Sequence, residues 1–119
     1  MRDFRKYEVW QLSHPFVLTI YKITHGFPSF ELFGLTSQLR RAAASIPTNI
    51  SEGCGRGSDV DFARFLVIAQ GSAHEIEYLL QLAFDLTYIA EAEYKEMDSI
   101  INLIKRKLYQ LHKTITSSK

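Results

Sequence analysis

The sequence predicts an all-α fold: one antiparallel, up-down-up-down four-helix bundle formed by residues 1–119. Apolar residues recur at three- and four-residue spacing in four long segments, and no segment alternates as a half-buried strand does. The breaks between segments are short and carry turn chemistry, so sequential helices should lie antiparallel. A chain of 119 residues is one domain by size. It buries roughly 65% of its unfolded surface, enough for a core without staples.

The first helix is expected near 5–26. Val9, Leu12, Phe16, Ile20, Ile23 and Phe27 form its stripe, widened by Trp10, Val17 and Tyr21. The break "GFPSFE" follows. The second helix, near 31–56, aligns Leu32, Leu35, Leu39, Ala42, Ile46 and Ile50. Pro47 removes an amide and crowds the carbonyl of Ala43, so a bend is expected there. The small residues Ala42, Ala43, Ala44 and Ser45 let a neighbour approach closely. "GCGRGSD" then closes the helix, and Ser58 with Asp61 reads as a capping pair for the third. The third helix, near 59–89, carries Phe62, Phe65, Leu66, Ala69, Ala73, Ile76, Leu79, Leu80, Ala83 and Leu86. The fourth, near 93–116, carries Met97, Ile100, Ile101, Ile104, Leu108, Leu111 and Ile115. Its acidic approach "YIAEAEY" suits a helix N-terminus. Apolar surface beyond the seams, at Trp10, Val17, Tyr21, Tyr78 and Tyr88, points to self-association or a partner.

Composition excludes several classes. The single cysteine, Cys54, rules out an internal disulfide and a cysteine-rich zinc site, and fits a reducing compartment. The charged, amphipathic start lacks a signal peptide's apolar core, and no run approaches the roughly 18 apolar residues of a membrane span. These features predict a soluble cytoplasmic protein. The formal net charge is +1, but its distribution is polar along the chain. Residues 75–98 hold seven acids against Lys95, whereas residues 99–119 hold five bases and no acid. Such asymmetry steers an anionic partner.

Catalytic patterns fail one by one. A di-iron bundle needs Glu-x-x-His, and Gln11, Lys22, Gly71 and Tyr109 stand three before the four histidines. "HEIEY" at 74–78 places Tyr78 where a zinc helix needs its second histidine. No nucleophile elbow exists. "GCGRGSD" matches no phosphate loop, and Asp59 and Asp61 would repel an anion, so it reads as a turn. No metal, cofactor or catalytic residue is expected. A polar network is expected instead, joining Asn49, Glu52 and Arg56 of helix two to Ser72 and Glu75 of helix three. Arg40, Arg41, Arg56 or Arg64 would be its donors. Gly71, which costs a helix about 1 kcal/mol against alanine, should have a packing reason there. Removing Glu52 should then cost more than about 1 kcal/mol by orphaning a buried arginine.

The stretches "FGLTSQLRRAAASIPTNISEGCGRG" and "FARFLVIAQGSAHEIEYLLQLA" resemble the four-helix bundle proteins encoded within intervening sequences of bacterial 23S rRNA genes. "YEVWQLSHPFVLTIYKIT" fits that family's opening helix, with Pro15 as a departure from its usual helix former. The resemblance implies a homopentamer with no established enzymatic activity. It is similar, too, to the accessory variability determinants of diversity-generating retroelements, which bind nucleic acid and a reverse transcriptase. The expected function is therefore a non-enzymatic oligomeric bundle that binds RNA or a ribonucleoprotein. The candidate contacts are Arg40, Arg41, Lys105, Arg106, Lys107 and Lys113. The rival is a protein-interaction scaffold using the apolar or acidic surface.

Overall fold

A computed structural model describes residues 2–117. Four helices make up the fold: α1 (Glu8–Thr24), α2 (Leu35–Cys54), α3 (Asp59–Asp85) and α4 (Glu91–Ser117). Short 3-10 turns at Phe4–Lys6 and Ser29–Glu31 precede α1 and α2. Among the described residues there is no strand. The helices form a ring in chain order, each packed against its sequence neighbours, with α1 closing onto α4. Side-chain pairs fix the directions. Glu77 meets Lys105 and Phe84 stacks on Tyr94, so α3 and α4 run antiparallel. Glu8 meets Lys107 and Ile23 lines a groove with Met97, so α1 and α4 are antiparallel as well.

The seam residues fill the centre. Ile20, Leu39, Ile46, Ile50, Phe62, Leu66, Ile76, Leu80, Met97, Ile101, Ile104 and Leu108 are fully buried. Of the other expected seam residues, Leu12, Ile23, Ile100, Leu111 and Ile115 are partly buried, and two are exposed. Leu32 and Leu86 lie outside the helices, in the connections at one end of the bundle, and both are exposed.

The connections explain the helix limits. Gly34 has no side chain to cap α2, so the Glu31 carboxylate does so, accepting the Leu35 N–H at 3.1 Å. The second helix accordingly starts at Leu35 instead of residue 31. Ser58 Oγ accepts the Asp61 N–H at 3.1 Å, the capping contact read from the sequence. Glu93 Oε1 reaches back to the Ala90 N–H at 3.1 Å, half of a capping box. α3 stops four residues earlier than its apolar period suggests. The Tyr88 N–H bonds Ala83 O and the Thr87 N–H bonds Phe84 O, both at 2.9 Å, a Schellman closure. Thr87 takes the left-handed position that glycine usually fills, with φ 65°.

Pro47 is buried, and α2 runs on through it to Cys54. The small residues before it are packed, with Ala42 and Ala43 buried and Ser45 meeting Ser72 of α3, and a second close approach lies at the end of α2. A Cβ on Gly53 would stand 2.8 Å from Phe62 Cδ1 and 3.0 Å from Phe65 Cβ. Gly53 is therefore the glycine on which the two helices close. Gly71 has no such reason inside the chain: a Cβ there meets nothing within 4 Å.

Candidate nucleic-acid interface

The C-terminal half of α4 carries bases at several helical angles, so they part company. Lys105 and Lys107 are two residues apart, about 200° around a helix. Lys105 turns to α3, where its Nζ donates to Glu77 Oε1 at 2.7 Å. That hydrogen bond holds the Glu77 carboxyl below the usual carboxylate range, against a smaller opposing effect of burial. Lys107 turns to α1 and pairs with Glu8 at 3.0 Å.

Arg106 and Lys113 join Lys105 on the rim of a groove between α3 and α4, with a volume of roughly 530 Å³. Gln70 and His74 line it from α3, and Tyr109 and Gln110 from α4. Gln70 and His74 are one turn apart, as are Arg106 and Gln110, and Tyr109 and Lys113. The Gln70 Nε2 amide is buried without a hydrogen-bond partner. An unsatisfied buried donor costs desolvation free energy that an acceptor atom would recover. Tyr109 presents an exposed ring beside it. The groove thus offers cations and an aromatic face, and among the residues that line it there is no carboxylate.

Arg40 and Arg41 lie elsewhere. Arg40 Nε donates to Thr24 Oγ1 at 2.9 Å, and its guanidinium covers the Tyr21 ring at 4.8 Å. It braces α2 on α1. Arg41 faces a recess against α3 shared with Gln38, Ser45, Ser72 and Glu75. The six predicted basic contacts therefore do not make one surface. Lys105, Arg106 and Lys113 share the groove, while Arg40, Arg41 and Lys107 serve helix contacts or other faces. The sequence reading missed Gln70, His74, Tyr109 and Gln110. Their spacing was readable on each helix, but the register that brings the two rows together was not.

The polar joint also differs from the expectation. Ser72 Oγ donates to Ser45 Oγ at 2.8 Å, and Asn49 Nδ2 donates to Ser45 O and Ser45 Oγ at 2.8 and 2.9 Å. This small uncharged cluster ties α2 to α3. Glu52 and Glu75 stand outside it. Glu52 pairs with Arg56 one turn away at 3.5 Å, with both side chains about half exposed. Arg64 pairs with Asp61 at 3.5 Å. No buried arginine depends on Glu52, because charged groups at these helical angles reach solvent more cheaply than they reach the core. Glu52 and Arg56 instead edge a cleft between α1 and α2 walled by Phe4, Trp10 and His14. Among the described residues there is no group of three or more metal-ligating side chains, and no helix is long and apolar enough to cross a membrane. Cys54 is buried, which pushes its thiol up from the ordinary value.

The profile of the family described as 23S rRNA-intervening sequence protein matches residues 5–110. Among solved structures, a protein of unknown function from the S23 ribosomal protein family of Bacteroides thetaiotaomicron VPI-5482 is similar, with a TM-score of 0.78 at 29% identity. The match covers 88% of this chain and 95% of that one. No curated protein sequence matches the chain.

Proposed function

The chain belongs to the 23S rRNA-intervening sequence protein family, and from that premise we propose a non-enzymatic, self-assembling bundle that holds RNA weakly by its phosphates. The observation that carries the reading is the α3–α4 groove, which Lys105, Arg106 and Lys113 line together with Gln70, His74 and Tyr109. Phosphate oxygens accept from the cationic side chains, and the Tyr109 ring beside them suits stacking on an unpaired base. Lys105 is already committed to Glu77, so the contact rests mainly on Arg106 and Lys113 and is weak per chain.

Assembly is part of the same proposal. Val60, Val67 and Tyr78 lie along the outer face of α3 and are exposed, with Ile68 beside them. Gly71 sits in the middle of that stripe with open space over its Cα. An apolar row with a glycine notch admits a second helix at close range, which supplies the packing reason that Gly71 lacks within one chain. The proposed assembly is a homopentamer in which α3 faces a neighbour.

Filter binding to a structured RNA, titrated with salt, tests the groove. Binding through phosphates falls linearly on a log-log plot against salt. Arg106→Ala and Lys113→Ala should each weaken binding at every sequence and flatten the slope by about 1. Binding that ignores both substitutions, or shows no salt slope, refutes the groove. Sedimentation of the wild-type chain tests the assembly, and a monomer at all concentrations refutes it.

A further inference from the structure

The end of the bundle remote from the α2–α3 turn presents an apolar tip. Phe33 is 94% exposed, Phe30 79% and Leu32 50%. Leu86, in the α3–α4 connection, is exposed at the same end. The two connections are tied together there, since Tyr88 OH donates to Glu31 Oε2 at 2.9 Å and the Phe27 and Tyr88 rings lie 5.2 Å apart. Phe30 and Phe33 thus project from a braced loop. Glu31 between them is spent on Leu35 and Tyr88, and Phe27 is buried while Phe30 and Phe33 are not. Two aromatic rings held outward on a pinned turn are a surface that water wets poorly and a partner covers.

The surroundings decide which partner. Asp85, Glu91, Glu93 and Glu96 are exposed at this end. Lys95 is held by Glu91 at 3.5 Å. At the same end Glu93 and Glu96 line a groove between α1 and α4 together with Thr19, Lys22, Ile23 and Met97. An acidic rim repels phosphate, so neither RNA nor an anionic lipid surface suits it. Two copies meeting tip to tip would bring their acidic rims together, at a like-charge penalty.

We propose that this tip docks a basic, amphipathic segment of a different protein. Its apolar side chains cover Phe30, Leu32 and Phe33, and its lysines or arginines meet Glu93 and Glu96. The tip is separate from the α3–α4 groove, which lies in the opposite half of α4. One bundle could therefore hold RNA and a basic protein together, and the docking stands whether or not the groove binds RNA.

The test is selection of a random displayed-peptide library on the immobilised full chain, with affinities then measured by fluorescence anisotropy. The enriched peptides should combine lysine or arginine with apolar residues. Their affinity should fall at least tenfold for Phe33→Ser, for Leu32→Ser and for the double variant Glu93→Gln with Glu96→Gln. It should be unchanged for Arg106→Ala. Because Phe33 and Leu32 are outside the core, both serine variants should melt as the wild type does, and either alone suffices. No enriched peptide, enrichment of acidic or uncharged peptides, or equal binding to the serine variants overturns the proposal. So does a fall in sedimenting mass on Phe33→Ser, which would make the tip a contact between copies.

Discussion

Two glycines in neighbouring helices should respond in opposite ways to the same added methyl group. In Gly53→Ala the new Cβ would stand 2.8 Å from Phe62 Cδ1 and 3.0 Å from Phe65 Cβ. Phe62 is fully buried, so its ring has nowhere to swing. Overpacking of this kind costs about 1–3 kcal/mol. Gly53 is in the last turn of α2, where the propensity gain from alanine is less than the roughly 1 kcal/mol of a helix interior. The net expectation is a loss of about 1–2 kcal/mol, a fall in Tm of roughly 3–8 °C for a chain of this size. Gly71 is mid-helix and exposed, so alanine there should stabilise the single chain by about 1 kcal/mol. Under the proposed assembly the same methyl obstructs the neighbour's helix, so the oligomer should dissociate at higher concentration than the wild type. Urea unfolding over a concentration series, with sedimentation alongside, separates the two effects. Wild-type stability in Gly53→Ala would refute the α2–α3 closure. Unchanged sedimentation in Gly71→Ala would remove the reason given for that glycine.

Thr87→Gly should raise stability by about 0.5–1 kcal/mol in thermal melts, since a β-branched residue at φ 65° is strained where glycine is not. Glu52→Ala should change unfolding free energy by less than about 0.5 kcal/mol, because its pair with Arg56 is half exposed; a larger loss would restore the buried network. Lys105 lowers the Glu77 pKa, so that pair's stabilisation is present above the unfolded carboxylate value of about 4.3 and lost as pH falls through the lower folded one. Urea midpoints taken from pH 7 to 3 should therefore fall less steeply for Glu77→Gln than for the wild type, and parallel curves would count against the pair.

The fold was legible because a 3.6-residue period needs no partner to be recognised, and the seam from Phe62 to Ala83 states α3 in full. The ends were less so. Leu32 and Leu86 continue the period by spacing, yet Glu31 capping Leu35 and the Schellman closure at Thr87 stop the helices short of them. The site was legible only one helix at a time. Asn49 and Ser72 were placed near one another from their faces, and Ser45 was read as a small residue and not as part of the joint. That no acid would join them was not readable, because Glu52 pairs with Arg56 at the surface and Glu75 is exposed. Gly71 was noticed as costly and explained in the wrong place: its open side faces away from the chain. A single sequence does not state what covers an outward face.

The distribution of charge sets how RNA binding should scale. Residues 99–119 hold five bases, but Lys105 and Lys107 are engaged with Glu77 and Glu8. Lys119 lies outside the described residues. Arg106 and Lys113 remain, so one chain should neutralise about two phosphates and give a log-log salt slope near −1.8 for double-stranded and −1.4 for single-stranded RNA, by analogy with the values for DNA. Each further chain that engages the same RNA adds the same amount. The slope therefore counts chains: a bundle acting alone stays below about −2, and a pentamer laid along one RNA approaches −7 to −9. A variant made monomeric at the α3 face, such as Val67→Glu with Tyr78→Ser, should return the slope to its single-chain value without losing the groove. If the slope stays steep in a confirmed monomer, the phosphates are held by bases outside the groove, and the assignment of Arg106 and Lys113 is wrong.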